Sequence, residues 1–336
     1  MKHIGRWLTP LLMLTITTLA CSLGGSKEGD QETGGDKDTI DTTSQVYTGM
    51  NLSALDAYTA TFDVTFTPTN DSEGWTYHQE TRVDGSTTQH NLSIGGVSGD
   101  KNPGDVTLLM LDGTQYMTGA GVDAFFTEGT CMVAPSDFDI GTSFLTPDLL
   151  LPPETIDQPF DESGGKEVVS DVSGRVVSIE GGNVADYADV ILDIVIAEEG
   201  DYVLSYTFEG VVIDDHFTDG LEGRMTWDFQ ITGFQPTLPS EVPAGCAIPY
   251  PLLDDANQIA WLGPLISYHS AHSREEAISF YQENLPSDGW EVYRIPDESA
   301  VGTILTYANT STGEVLNVSV VDATEGEGIV VTLLLE

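Results

Sequence analysis

From Thr61 to Thr67 the chain alternates, with Phe62, Val64 and Phe66 on one side and Thr61, Asp63 and Thr65 on the other. A period of two marks a strand with one buried face. Trp75–Val83 and Thr87–Ile94 repeat the pattern around Asp84-Gly85, and Val106–Leu111 is followed by Asp112-Gly113 and Gln115-Tyr116-Met117, so two hairpins are expected. Further strands are expected at Val168–Ile179, Tyr202–Phe208 and Met225–Ile231. In the last two, Tyr202, Leu204, Tyr206 and Phe208 share a face, as do Met225, Trp227, Phe229 and Ile231. Ser136–Leu151, ending at Pro152-Pro153, reads as helical or irregular. Asp186–Ile196 fits a helix or a strand equally.

Prolines at 236, 239, 243 and 249 mark a boundary, and the pattern changes after it. Ser273-Arg274-Glu275-Glu276 is a capping box that opens a helix running to about Asn284, with Ala277, Phe280 and Tyr281 on one stripe. Pro286 and Gly289 end it. Strands are expected at Trp290–Ile295, Thr303–Ala308, Glu314–Val321 and Gly328–Leu335.

The first residues follow different rules. Lys2 and Arg6 precede a charge-free apolar stretch, Trp7–Ala20, too short to span a bilayer but suited to a signal peptide. It ends in Thr18-Leu19-Ala20-Cys21, which resembles the lipobox of bacterial lipoproteins, although Thr18 stands where that motif prefers Leu. The resemblance implies cleavage before Cys21 and a diacylglycerol on its thiol. Residues 22–46 are Gly, Ser, Thr and acidic residues without apolar periodicity, the composition of a flexible tether. Such a coil would hold the rest about 25–30 Å from the membrane. The expected organisation is a signal peptide at 1–20, a lipidated tether at 21–46, a first domain at 47–245 and a second at 246–336. The expected localisation is extracytoplasmic, anchored by lipid.

Composition narrows the partners. The 336 residues carry 54 acidic against 11 basic side chains, a formal net charge of −43, and lysine occurs only at 2, 27, 37, 101 and 166. Nucleic acid is excluded as a partner, because phosphate binding needs clustered Lys and Arg. The acidity serves solubility or suits salty surroundings. With Cys21 lipidated, Cys131 and Cys246 remain in an oxidising compartment, so they are expected to pair.

Motifs for chemistry are sparse. His269 and His272 lack any HExxH context and read as exposed histidines; Asp214-Asp215-His216 reads as a solvated turn. Ser163-Gly164-Gly165-Lys166 matches S-x-x-K in letters only, inside a glycine-rich turn. No Walker A, G-x-S-x-G or G-x-G-x-x-G sequence occurs. The expectation is therefore no enzyme, no metal and no cofactor.

The lipidated Cys21, the polar tether, the opening Ala57-Tyr58-Thr59-Ala60-Thr61-Phe62 strand and the successive hairpins together resemble the LolA/LppX-like bacterial lipoproteins. Gly164-Gly165-Lys166-Glu167-Val168 and Gly200-Asp201-Tyr202-Val203-Leu204-Ser205-Tyr206 are similar to later strands of that family. The C-terminal Phe280-Tyr281, Leu285-Pro286 and Gly289-Trp290 resemble a small domain appended to envelope lipoproteins. The implied fold class is α+β, mostly β: a curved antiparallel half-barrel sheet with a helical plug, followed by a small α+β domain with one helix on an antiparallel sheet. The implied function is binding or carrying a lipid or other apolar ligand in the cell envelope. Phe62, Phe66, Tyr206, Phe208, Trp227 and Phe229 would line the cavity, though the same period-two faces would equally fill a solid core. The alternative is a scaffold whose 246–336 region docks an envelope protein partner.

Overall fold

Antiparallel strand pairing dominates the molecule. The structure, a computed structural model, describes residues 47–70, 72–96, 104–123, 131–136, 138, 144–213, 218, 220–299, 301–323 and 328–336. The segments expected to be a leader and a tether, Cys21 and the expected turn at Asp214-Asp215-His216 lie outside the described residues. In the first part the strands are β1 (Ala57–Pro68), β2 (Trp75–Asp84), β3 (Thr87–Gly95), β4 (Val106–Leu111), β5 (Thr114–Thr118), β6 (Met132–Pro135), β7 (Lys166–Val169), β8 (Val172–Glu180), β9 (Asn183–Val184), β10 (Tyr187–Ala197), β11 (Val203–Val212) and β12 (Gly223–Gly233). The second part holds β13 (Asn257–Leu262), β14 (Leu265–Ser270), β15 (Trp290–Glu298), β16 (Gly302–Asn309), β17 (Val315–Asp322) and β18 (Ile329–Leu335).

Pairing runs β7-β8-β10-β11-β12-β1-β2-β3-β4-β5-β6, then β13-β14-β18-β17-β16-β15, with β9 beside β10. The two runs meet where Trp261 of β13 pairs with Val133 of β6, which makes one 18-stranded sheet. This overturns the expected fold class. The strands after Pro249 continue the same sheet instead of forming a separate α+β fold. The helical plug is also absent: among the described residues of 136–151, helix is confined to the single turn Pro147–Leu150. Thr146 caps that turn by accepting from the Leu149 amide. The flanking Phe144-Leu145 and Leu151-Pro152 are not helical, and prolines at 147, 152 and 153 leave too little uninterrupted chain to propagate a helix.

The hairpins follow local chemistry. Between β4 and β5, Asp112 (φ 52°) and Gly113 (φ 74°) both lie left-handed, as a two-residue turn matched to strand twist requires. The ambiguous Asp186–Ile196 stretch is strand β10. Its pairing to β11 shifts between Ala188 and Ile191, where Asp189 adopts φ 52°. Tyr187 before this bulge and Leu192 and Ile194 after it are all buried, so the parity of the buried positions flips within one strand.

The first sheet curls. β7 lies four places from β12 in the pairing order, yet Ser170, just beyond β7, donates its hydroxyl to the Ile231 carbonyl of β12 at 2.6 Å. One apolar core fills this curl and a second packs the sheet after Pro249. The helix Arg274–Asn284 lies over the second core and buries Ala277 and Tyr281, with the capping box complete on both sides. A third, small cluster of Cys131, Val133 and Cys246, with Tyr116 and Trp261 against it, sits where the two runs join. Cys131 and Cys246 are disulfide-bonded with Cα atoms 5.0 Å apart.

Candidate functional site

The interior of the curl draws its aromatic residues from three adjacent strands. Phe62 pairs with Phe229 across β1 and β12; Tyr206 pairs with Phe229, and Phe208 with Trp227, across β11 and β12. Phe66 lies at the end of β1, and its ring covers Gly223, where a Cβ would meet it at 2.5 Å. All six aromatic residues singled out in the sequence are therefore buried together, none more than 5% exposed. Phe208 and Trp227 stack, and Tyr187 meets both rings edge-on at 4.8 and 5.8 Å.

Two polar atoms break this apolar surround. The Tyr206 hydroxyl and the Trp227 Nε1 are buried without a hydrogen-bond partner among the described residues, on rings 6.1 Å apart. A buried polar group left unpaired costs roughly 1–3 kcal/mol; among the described residues Gln89 Oε1, Arg175 Nη1 and, in the second core, the Tyr307 hydroxyl are unpaired as well.

The segment 144–151 packs against the first core. Phe144 lies tilted against the His90 ring at 5.0 Å, the Leu145 amide donates to the Tyr77 oxygen, and the Leu150 carbonyl accepts from the Tyr187 hydroxyl at 3.2 Å. Asp148, in the same segment, binds the start of the described chain. Its Oδ1 accepts from the Tyr47 hydroxyl at 2.9 Å and its Oδ2 from the Met50 amide at 3.1 Å. Tyr47 thereby inserts its ring edge-on against Tyr206 at 5.7 Å and Phe160 at 6.2 Å and is only 4% exposed. Burial, then neighbouring Tyr206, then the Asp148 charge push the Tyr47 hydroxyl far above the ordinary tyrosine range. Burial first, then Asp148, then Tyr187 do the same to Tyr206. Both phenols therefore keep their protons, and Tyr47 gives its own to Asp148.

A polar ladder runs up the inner side of β2. Tyr77 donates to Gln79 Oε1, the Gln79 amide to Thr81 Oγ1 at 2.7 Å, and Thr81 Oγ1 lies 2.9 Å from His90 Nδ1. Since Thr81 already accepts from Gln79, its own proton is free to go to Nδ1, which places the imidazole proton on Nε2. Burial holds the His90 pKa down at about 4, in keeping with a neutral ring. Tyr47, Asp148 and this ladder were missed in the sequence. The ladder had a signal: Tyr77, Gln79 and Thr81 share one parity of β2, so two polar side chains stand on a buried face.

In the second part, Asp254, Asp255 and His272 bring their ligand atoms within 4.8 Å of one another. Both Asp255 oxygens are already engaged, by the Ser270 hydroxyl at 2.6 Å and the Ala271 amide at 2.7 Å. His272 meets Asp254 at 2.9 Å; that hydrogen bond, with the Asp255, Asp254 and Glu276 charges, raises its pKa. The group ties the β14 end to the helix start. His269 faces away as an exposed residue. Ser163 is exposed in a turn, and Lys166 is exposed at the start of β7, where it pairs with Glu198. An open cleft of about 460 Å³ between Pro286, Trp290 and Asn309 has Glu291 as its one ionisable side chain.

A scan against protein families and a search of curated proteins find no match to this chain. Among solved structures, kievitone hydratase from Nectria haematococca aligns over 89% of this chain and 94% of that chain, at 12% identity and a TM-score of 0.18. Similarity at that level carries no argument about fold or activity.

Proposed function

We propose that the curled first sheet is a non-catalytic binding site for a lipid or another apolar ligand, in a protein that Cys21 anchors to the outer side of a membrane through lipid. The observation that carries this reading is the unpaired Tyr206 hydroxyl and Trp227 Nε1 inside an otherwise aromatic interior. An interior that only filled space would be more stable with phenylalanine at both positions. A bound molecule with an apolar body and one polar end satisfies both atoms and removes its own surface from water at about 0.8 kcal/mol per CH₂. Native mass spectrometry of the full chain purified without detergent tests the reading. A co-purifying apolar molecule, lost when Trp227→Phe and Tyr206→Phe are combined, supports it; a bare protein mass that no added amphiphile shifts sinks it.

A second reading rests on β15. This strand pairs with β16 on one side and has no strand on its other side among the described residues, while exposing Val292, Tyr293 and Ile295, the last at 91%. An apolar edge of this kind suits a protein partner that adds a strand, as an envelope scaffold would need. Loss of partner capture on Ile295→Lys, with ligand binding intact, would favour it.

A further inference from the structure

The side chain that closes the aromatic interior shows what chemistry the interior accepts. Tyr47 belongs to the segment leading into β1. Its ring lies among the aromatic residues while its hydroxyl donates to Asp148. An apolar body with a hydrogen-bond donor at its end is thus already bound there, supplied by the chain itself. Asp148 supplies only acceptors when ionised. The same Tyr47 ring meets the Tyr206 ring at 5.7 Å, so the side chain that binds the carboxylate also packs on the residue with the unpaired hydroxyl.

We infer that the ligand is a neutral or cationic amphiphile whose hydroxyl or ammonium head donates to Asp148 in place of Tyr47. This rests on the apolar-ligand reading above and narrows it. An anionic head, such as a fatty-acid carboxylate, would meet the Asp148 carboxylate at close range and leave its Oδ1 without a donor, with only the Met50 amide still on Oδ2. Two like charges held in close contact repel, and partial burial strengthens the repulsion by keeping water from screening it. The net charge of −43 acts in the same direction at longer range. The Tyr206 hydroxyl and the Trp227 N–H then complete the polar end, the first able to donate or accept and the second able only to donate.

The test uses three probes of equal chain length, 1-dodecanol, dodecylammonium and laurate, titrated calorimetrically into the full chain carrying Cys21→Ser to avoid detergent. The alcohol and the ammonium should bind, and laurate should bind at least about tenfold more weakly. Asp148→Asn should bring laurate to within about threefold of the alcohol. Tyr47→Phe, which keeps the ring and removes the competing donor, should tighten the alcohol severalfold and is informative even if Asp148→Asn does not fold. Laurate binding as tightly as the alcohol, a gap that persists in folded Asp148→Asn, or an alcohol affinity unmoved by Tyr47→Phe would each overturn the headgroup assignment and leave the apolar site standing. If none of the three probes binds a natively folded chain, the site itself is refuted.

Discussion

Phe208 and Trp227 stand directly opposite each other on β11 and β12 with ring centroids 3.7 Å apart and planes 6° from parallel. The stack is held between Tyr187 and Tyr206, and Phe208 lies flat because Gly210, two residues on, has no Cβ to meet its ring at 2.8 Å. Burial of the apolar ring body stabilises the fold, whereas the indole N–H adds an unpaired donor.

The two components separate by substitution. Trp227→Ala should lower unfolding stability by about 3–5 kcal/mol in urea titrations. Trp227→Phe should cost clearly less than Trp227→Ala, because it keeps one ring on Phe208, leaves a smaller cavity and removes the unpaired N–H. A Phe variant as unstable as the Ala variant would show that the N–H has a partner in the folded protein.

The disulfide should be a large part of the stability at the junction of the two runs. Cys131 and Cys246 are 115 residues apart, and closing a loop of that size restricts the unfolded chain by about 4–5 kcal/mol. Chemical denaturation of the Cys131→Ser, Cys246→Ser double variant should show a loss of that order. Since Val133 and Trp261 pair beside the bond, amide exchange should rise first in β6 and β13.

His90 should make the protein acid-sensitive. Its folded pKa of about 4 lies below the unfolded value near 6.5. Well above pH 6.5 neither state is protonated and the residue contributes nothing to pH dependence. As pH falls from 6.5 towards 4, the unfolded chain takes up the proton first and stability drops, by about 2 kcal/mol allowing for partial exposure. Comparing the stability difference between pH 7 and pH 4.5 in the wild type and in His90→Gln isolates this component from the carboxylates. An equal drop in both proteins would contradict it.

Lipidation is tested at Cys21. In a bacterial host, Cys21→Ser should lose incorporation of labelled palmitate and leave the membrane fraction. Persistence of label on the variant would show that the anchor lies elsewhere.

Much of the strand pattern was legible from residue order. The alternation of β1, β11 and β12, the Asp112-Gly113 turn and the Ser273–Glu276 capping box depend on neighbours within a few residues, where local sterics and parity dominate. β10 was not legible, because the bulge at Asp189 reverses the parity that the reading relied on. Segment 136–151 was misread as a plug because its apolar residues, Phe144, Leu145, Leu150 and Leu151, fit a helix as well as a strap. Their partners Tyr77, His90 and Tyr187 lie on strands far away in the chain.

By itself, then, the sequence determined the acidic composition, the β-rich character and which aromatic residues share a strand face, since each follows from composition or from spacing along one element. Only the tertiary structure decided that both halves belong to one sheet, joined at Val133 and Trp261, and that Tyr47 and Asp148, 101 residues apart, close the aromatic interior. The reason is physical. Strand pairing and buried hydrogen bonds are contacts between distant segments, chosen by the packing and desolvation of the whole curl, and no local period along the chain encodes them.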